Sequence, residues 1–204
     1  MRVQHLFRKY NSFGVVQSRI TGIKKAINEL DPRRLTNEDE ADLAEKLVID
    51  FDLPVPVLGE PYVALHEEKG IDVSQDPMRM VFNRARPCFV RGTRTVIRVP
   101  FTGEAALFDV QPSTHNLNPP YGTVIGTEIE MEYERADNNG AALKTEYEQN
   151  LQNMNQHLAW LRESTASLRD ELRRTAIATI ADRKKHLNSS SDMLSALNLP
   201  IRPK

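Results

Sequence analysis

Between Glu128 and Glu134 the chain reads Glu-Ile-Glu-Met-Glu-Tyr-Glu, a strict alternation of acidic and apolar residues. A helix would spread those glutamates around its circumference. A strand puts them all on one side and Ile129, Met131 and Tyr133 on the other. Such a strand has one wet and one dry face, which calls for an antiparallel sheet covered on a single side. The spacing predicts a strand over 124–134. A second alternation sets Thr95, Ile97, Val99 and Phe101 against Arg94, Val96 and Arg98, and predicts another strand of the same sheet. If the two pair, Arg94 and Arg98 meet Glu128–Glu134 across the ladder.

Helical periodicity flanks this β part. Val16, Ile20, Ile23, Ile27 and Leu30 step by four and three, predicting a helix over 13–31 that Asn11 or Ser12 caps and Pro32 ends. Thr36 precedes Asp39 by three, a capping-box-like start that predicts a second helix over 37–49. Pro54, Pro56 and Pro61 impose extended chain from 53 to 62, without a regular ladder. Leu143, Tyr147, Leu151, Met154, Leu158 and Leu161 form one late stripe, and Leu168, Leu172, Ala176 and Ile180 another. Ser164–Ser167 between them predicts a helical hairpin. Asn188 and Ser189–Ser191 are expected to stop the second helix, with a short one following over 192–198. The predicted fold is α+β: a small, mainly antiparallel sheet, two N-terminal helices and a C-terminal helical hairpin. The segments are 1–61, 62–136 and 137–204, expected to form one compact domain.

Composition narrows the chemistry. The net charge of −1 gives no global attraction to nucleic acid or membrane. A lone cysteine, Cys88, the polar start and the lack of an apolar run of about 20 residues point to the cytoplasm, with no membrane partner. His5, His66, His115, His157 and His186 are dispersed and read as surface or core-edge residues, so no metal and no cofactor is expected. Asp52 with Glu67-x-Lys69 has the order of a Mg²⁺-dependent nuclease, in which acids hold the metal and a lysine helps activate water. Gly70 follows at once, so an exposed charged turn is the preferred reading there. The best binding candidate is the basic run Arg79, Arg84, Arg86, Arg91, Arg94 and Arg98, with Phe82 and Phe89 among them. Arginine forks fit phosphates and aromatic rings stack on bases, which makes nucleic acid a candidate partner. In the Gln111–Gly122 loop, Pro112, Ser113, Thr114, Asn118, Pro119 and Pro120 form either a ligand site or, preferably, a rigid corner that locks the sheet. The late helical stripes either cover the sheet or join a second subunit. The polar stretch Gln149–Gln156 speaks against a long coiled coil.

A resemblance adds to this. Val99-Pro100-Phe101-x-Gly103, then Phe108, then Pro112-Ser113-Thr114 and Asn118-Pro119-Pro120-x-Gly122 are its core, with the acidic strand, the hairpin and the ending Leu197-x-Leu199-Pro200-Ile201-Arg202. Together they resemble the N-terminal region of bacterial defence-associated proteins that carry a restriction-endonuclease-like domain further on, best over residues 90–204. The resemblance implies that catalysis belongs to that later domain and that no catalytic residue carries over. It implies a non-catalytic module that docks onto or senses for an effector protein.

Overall fold

The computed structural model describes residues 4–77, 79–80, 82–137 and 139–197. It is an α+β protein with a curled antiparallel sheet and two long C-terminal helices, as the patterns predict. The chain divides into two compact units, Met1–Ser12 with Pro54–Glu163, and Phe13–Leu53 with Ser164–Lys204. Neither is continuous in sequence, so each C-terminal helix serves a different unit.

The first unit holds the sheet. β3 (Tyr62–Asp72) pairs along β4 (Phe89–Thr102), and β4 pairs on its other side with β7 (Glu128–Arg135). β2 (Val57–Leu58) takes the last residues of β4, and β6 (Thr123–Ile125) lies beyond β7. β1 (Tyr10–Asn11) and β5 (Val110–Gln111) add a two-residue parallel pair. Three expectations are corrected here. The strand over 124–134 is a hairpin, because Gly126 at φ +60° turns the chain between β6 and β7. The proline-rich segment does form a short ladder, Val57 opposite Thr102 and Leu58 opposite Phe101. Glu67 and Lys69 lie within β3, not in a turn, because Gly70 continues the pairing opposite Arg91.

The dry face of the sheet carries Thr95, Ile97, Val99, Ile129, Met131 and Tyr133, all buried. α4 (Gly140–Thr165) belongs to this unit and buries Asn150, Met154, His157, Leu158 and Leu161. Asn139 caps it, its side chain accepting from Ala142 N–H at 3.0 Å. An aromatic chain runs through the core: Phe101 packs edge-on to Phe108, Phe108 against Phe7, and Phe7 stacks on the His157 ring at 5.3 Å. His157 is therefore a core residue, not a surface or core-edge one.

Burial pushes the His157 pKa down, the neighbourhood of His115 adds to the effect, and the bond from its ring to the Asn153 carbonyl opposes it. The folded protein keeps the ring neutral where the unfolded chain, titrating near 6.5, takes up a proton. Stability is thus expected to fall as pH drops below about 6.5 and to level off once the folded form also titrates. Carboxyls held low by their partners, Glu38 and Asp137 near 2 among them, add their losses only at more acid pH. Urea unfolding at a series of pH values checks this. The slope between pH 8 and 5 should flatten in His157→Gln, and an unchanged slope would assign it elsewhere.

The second unit is helical: α1 (Ser12–Glu29), α2 (Pro32–Asn37), α3 (Glu40–Phe51) and α5 (Leu168–Leu197). Its core includes Ile23, Ile27, Leu35, Leu43, Val48, Leu172, Ala176 and Ile180. α2 is an additional helix: α1 ends at Glu29, before Pro32, whose ring disfavours helical backbone at Asp31, and Pro32 then starts α2 with Asp31 as N-cap. Thr36 lies inside α2 and bonds back to the Pro32 carbonyl, so the cap of α3 is Asp39, accepting from Ala41 and Asp42 N–H. α5 runs through Asn188 and Ser189–Ser191 without a break. Those residues cost only tenths of a kcal/mol each, and no Gly or Pro interrupts the turn. The end of the expected helix over 192–198 and the prolines at 200 and 203 fall outside the described residues. Arg169 and Arg173 of α5 clasp Glu45 of α3 at 2.8 and 3.0 Å, and Arg183 donates to the Ile27 and Leu30 carbonyls at the end of α1. No described helix is long and apolar enough to cross a membrane.

Candidate functional site

Three places gather the residues that sequence singled out, Asp52 apart: the two faces of the sheet, the Gln111–Gly122 corner and the loop joining β3 to β4. All belong to the first unit.

On the wet face the register sets Arg94 opposite Glu134 and Arg98 opposite Glu130. Arg94 bonds Glu132 on one side and Glu67, at 3.2 Å, on the other. Arg98 reaches Glu130 at 2.9 Å and Glu128 at 3.5 Å, and the Tyr62 hydroxyl donates to Glu128 at 2.6 Å. Lys69 pairs with Glu134 on this face, and on the opposite face Arg91 holds Glu68 in bonds of 2.6 to 3.2 Å. The Arg94 guanidinium beside Glu132 holds that carboxyl below its ordinary value. Arg91, Arg94 and Arg98 therefore have donors committed to carboxylates, and a phosphate would have to displace a glutamate to reach them.

The nuclease arrangement is not assembled in either unit. Glu67 and Lys69, both partly exposed, pair with Arg94 and Glu134, while Asp52, in the second unit, lies 3.8 Å from Arg169. Among the described residues no group of three or more His, Cys, Asp or Glu could hold a metal ion.

The Gln111–Gly122 loop is bound on two sides. Leu6 N–H donates to the Pro120 carbonyl at 2.9 Å and Gly122 N–H to the Gln4 carbonyl at 3.0 Å. From α4, the Asn150 side chain accepts from Tyr121 N–H at 3.0 Å and donates to Tyr121 C=O at 2.8 Å, the two-point bond of a β-bridge made by an amide. Asn153 meets Asn116 at 3.0 Å and the Asn118 carbonyl. Pro112 and Pro120 are buried, while Ser113, Thr114 and Asn118 are exposed, Ser113 lying 3.2 Å from the Ser12 hydroxyl. Beside this corner lies a cleft of about 340 Å³ that Asn118, Pro119, Glu146 and Gln149 help to line. The periodic reading of α4 missed Asn150 and Asn153. Their only signal is a run of amides inside an otherwise amphipathic helix.

The β3–β4 loop, residues 73–88, is closed at its neck by Asp72. One carboxylate oxygen accepts from both Ser74 N–H at 2.9 Å and Cys88 N–H at 3.0 Å, and these bonds hold the Asp72 carboxyl below its ordinary value. Further in, Gln75 donates to the Arg84 carbonyl at 2.9 Å, Arg79 pairs with Asp76 at 3.3 Å, and Asn83 turns the chain through Ala85 and Arg86. From this closed loop Met80 and Phe82 stand fully exposed, at 105% and 108% of their reference areas, with Arg84 and Arg86 exposed beside them. Phe89 at the start of β4 is 67% exposed. Comparison with family models, curated proteins and solved structures finds no match to this chain.

Proposed function

We propose that this chain is a non-catalytic docking module whose binding element is the β3–β4 loop. The observation that carries the reading is the full exposure of Met80 and Phe82 on a loop that Asp72 ties shut. Large apolar side chains left wholly in water cost free energy, and a loop tied at its neck by Asp72 has less entropy to lose on binding. Arg79, Arg84 and Arg86 flank the apolar tip. The matching partner surface is an apolar pocket with an acidic rim, which would anchor Phe82 and steer the approach. The resemblance of residues 90–204 to defence-associated proteins suggests the partner: an effector protein of a bacterial defence or restriction system.

A second reading uses the same loop for nucleic acid, with Phe82 stacking and the arginines on phosphates. It rests mainly on Arg84 and Arg86, since glutamates hold Arg91, Arg94 and Arg98.

A photo-crosslinking residue placed at Phe82 in the tagged chain tests both readings. The expected product is a covalent complex with one protein. Affinity for that purified protein should then fall about tenfold or more in Phe82→Asp, as for an aromatic anchor. Unchanged affinity in Phe82→Asp with Met80→Asp would discard the docking reading. Binding to single-stranded oligonucleotide that weakens steeply with salt and disappears in Arg84→Glu with Arg86→Glu would put the second reading in its place.

A further inference from the structure

Among the described residues β3 is bonded along one side only, to β4. Which of its backbone groups face outwards follows from the ladder. Val73 N–H donates to the Cys88 carbonyl at 2.8 Å. The register continues without a shift through Ile71 with Val90, Lys69 with Gly92 and Glu67 with Arg94. In an antiparallel pair the bonded positions recur every second residue, so the odd-numbered residues turn N–H and C=O towards β4. His66, Glu68, Gly70 and Asp72 turn theirs away from it. The side chains from His66 to Gly70 are all exposed.

We infer that this edge pairs antiparallel with the same edge of a second copy of the chain, about a twofold axis at Glu68. Only outward groups can bond, so even-numbered residues must meet even-numbered ones, which leaves few registers. Centred on Glu68, the face carrying Leu65, Glu67, Lys69 and Ile71 is complementary to itself. Leu65 meets Ile71 and Glu67 meets Lys69, each pair twice, because an isologous contact repeats every interaction. Every neighbouring register is worse. Centring on Glu67 sets Glu67 against Glu67, and centring on Lys69 sets Lys69 against Lys69. Centring on His66 or Gly70 sets the charged side chains against apolar ones. On the other face Glu68 meets its own copy, but each carboxylate is already held by its own Arg91. His66 lies opposite Gly70, which leaves room for the ring. The seam satisfies roughly six backbone bonds, two at each bonded pair.

A free edge is usually blunted by charge or by a bulge. Here the bulge between Val63 and Leu65 bounds the seam at one end, and the charges inside it are ordered as a palindrome. The surface is distinct from the exposed tip at Met80 and Phe82, so the two proposals stand or fall separately. It also places self-association at the sheet rather than at the C-terminal helices.

Sedimentation of the full chain across a concentration series tests the pairing. The wild type should show a monomer–dimer equilibrium. Glu67→Lys, which sets lysine against Lys69, should raise the dimer dissociation constant about tenfold or more. Glu67→Lys with Lys69→Glu should restore the dimer. Inside each chain that double exchange leaves like charges against Arg94 and Glu134, so a folding effect cannot mimic the rescue. Glu68→Pro removes one outward N–H and no bond to β4, and should give a folded monomer with an unchanged circular dichroism spectrum. A wild type that stays monomeric throughout overturns the inference. So does a dimer that survives both Glu67→Lys and Glu68→Pro, or a folded double exchange that stays monomeric.

Discussion

Asn150→Leu is expected to destabilise the sheet-containing unit by about 2–4 kcal/mol, although leucine is the better helix former and the more apolar residue. Asn150 is only 6% exposed, and its amide answers both backbone groups of Tyr121. Leucine of similar size removes the two bonds and keeps water from replacing them, so the N–H and C=O of Tyr121 are left without that partner. An unmet buried donor or acceptor costs about 1–3 kcal/mol, so two cost about 2–6 kcal/mol, and the half-exposed position of Tyr121 places the pair in the lower part of that span. Asn153→Ala is the internal comparison. Its bonds go to exposed parts of the loop, where water substitutes, and a loss under about 1 kcal/mol is expected. Urea unfolding of both variants decides the point. If Asn150→Leu lay within about 1 kcal/mol of the wild type, the corner would be held by Gln4 and Leu6 instead, and α4 would merely lie against it.

That amide also shows where reading the sequence reaches its limit. The alternation at 128–134 was enough to place β7, and the spacing of Arg94 and Arg98 was enough to foresee their glutamate partners, because side-chain period and cross-strand pairing are local geometry. Three prolines made a fixed corner the preferred reading of the loop, because they restrict its φ angles. What holds the corner was not legible, since the partner of Tyr121 lies 29 residues away on a helix whose apolar stripe gives no reason to look at a polar position. β3 was hidden for a related reason. A strand exposed on most positions shows no alternation, and a Glu-x-Lys-Gly sequence looks like a turn until a long neighbour is seen to pair with it. In the β3–β4 loop the aromatic and basic residues stood out in the sequence. The closure by Asp72, which turns them from a charged run into a presented surface, depends on two backbone donors 14 residues apart.

Gly92→Val should have a large effect, a loss of about 3 kcal/mol or more, a substantial part of the stability of a small protein. Gly92 is buried in β4. A Cβ there would overlap the carbonyl oxygen of Arg135 and stand 2.6 Å from Ile71 Cγ1. The isoleucine could turn, but the carbonyl could not. Arg135 is in register with Thr93, and its guanidinium is held by Asp137 at 2.7 Å and Glu146 at 3.0 Å, which ties the end of β7 to the start of α4. Relieving the overlap would mean moving that junction. Gly70 sits on the neighbouring strand, and a Cβ there would meet only Phe89, at the ordinary distance of 3.7 Å. Gly70→Ala should therefore cost little, and β-propensity alone would give it a small gain. Thermal unfolding of the two variants side by side separates a crowding effect from a general intolerance of side chains in this sheet. A Gly92→Val protein as stable as Gly70→Ala would mean that β7 and α4 can part at Arg135, and that the close approach of β4 to their junction is not what positions the sheet.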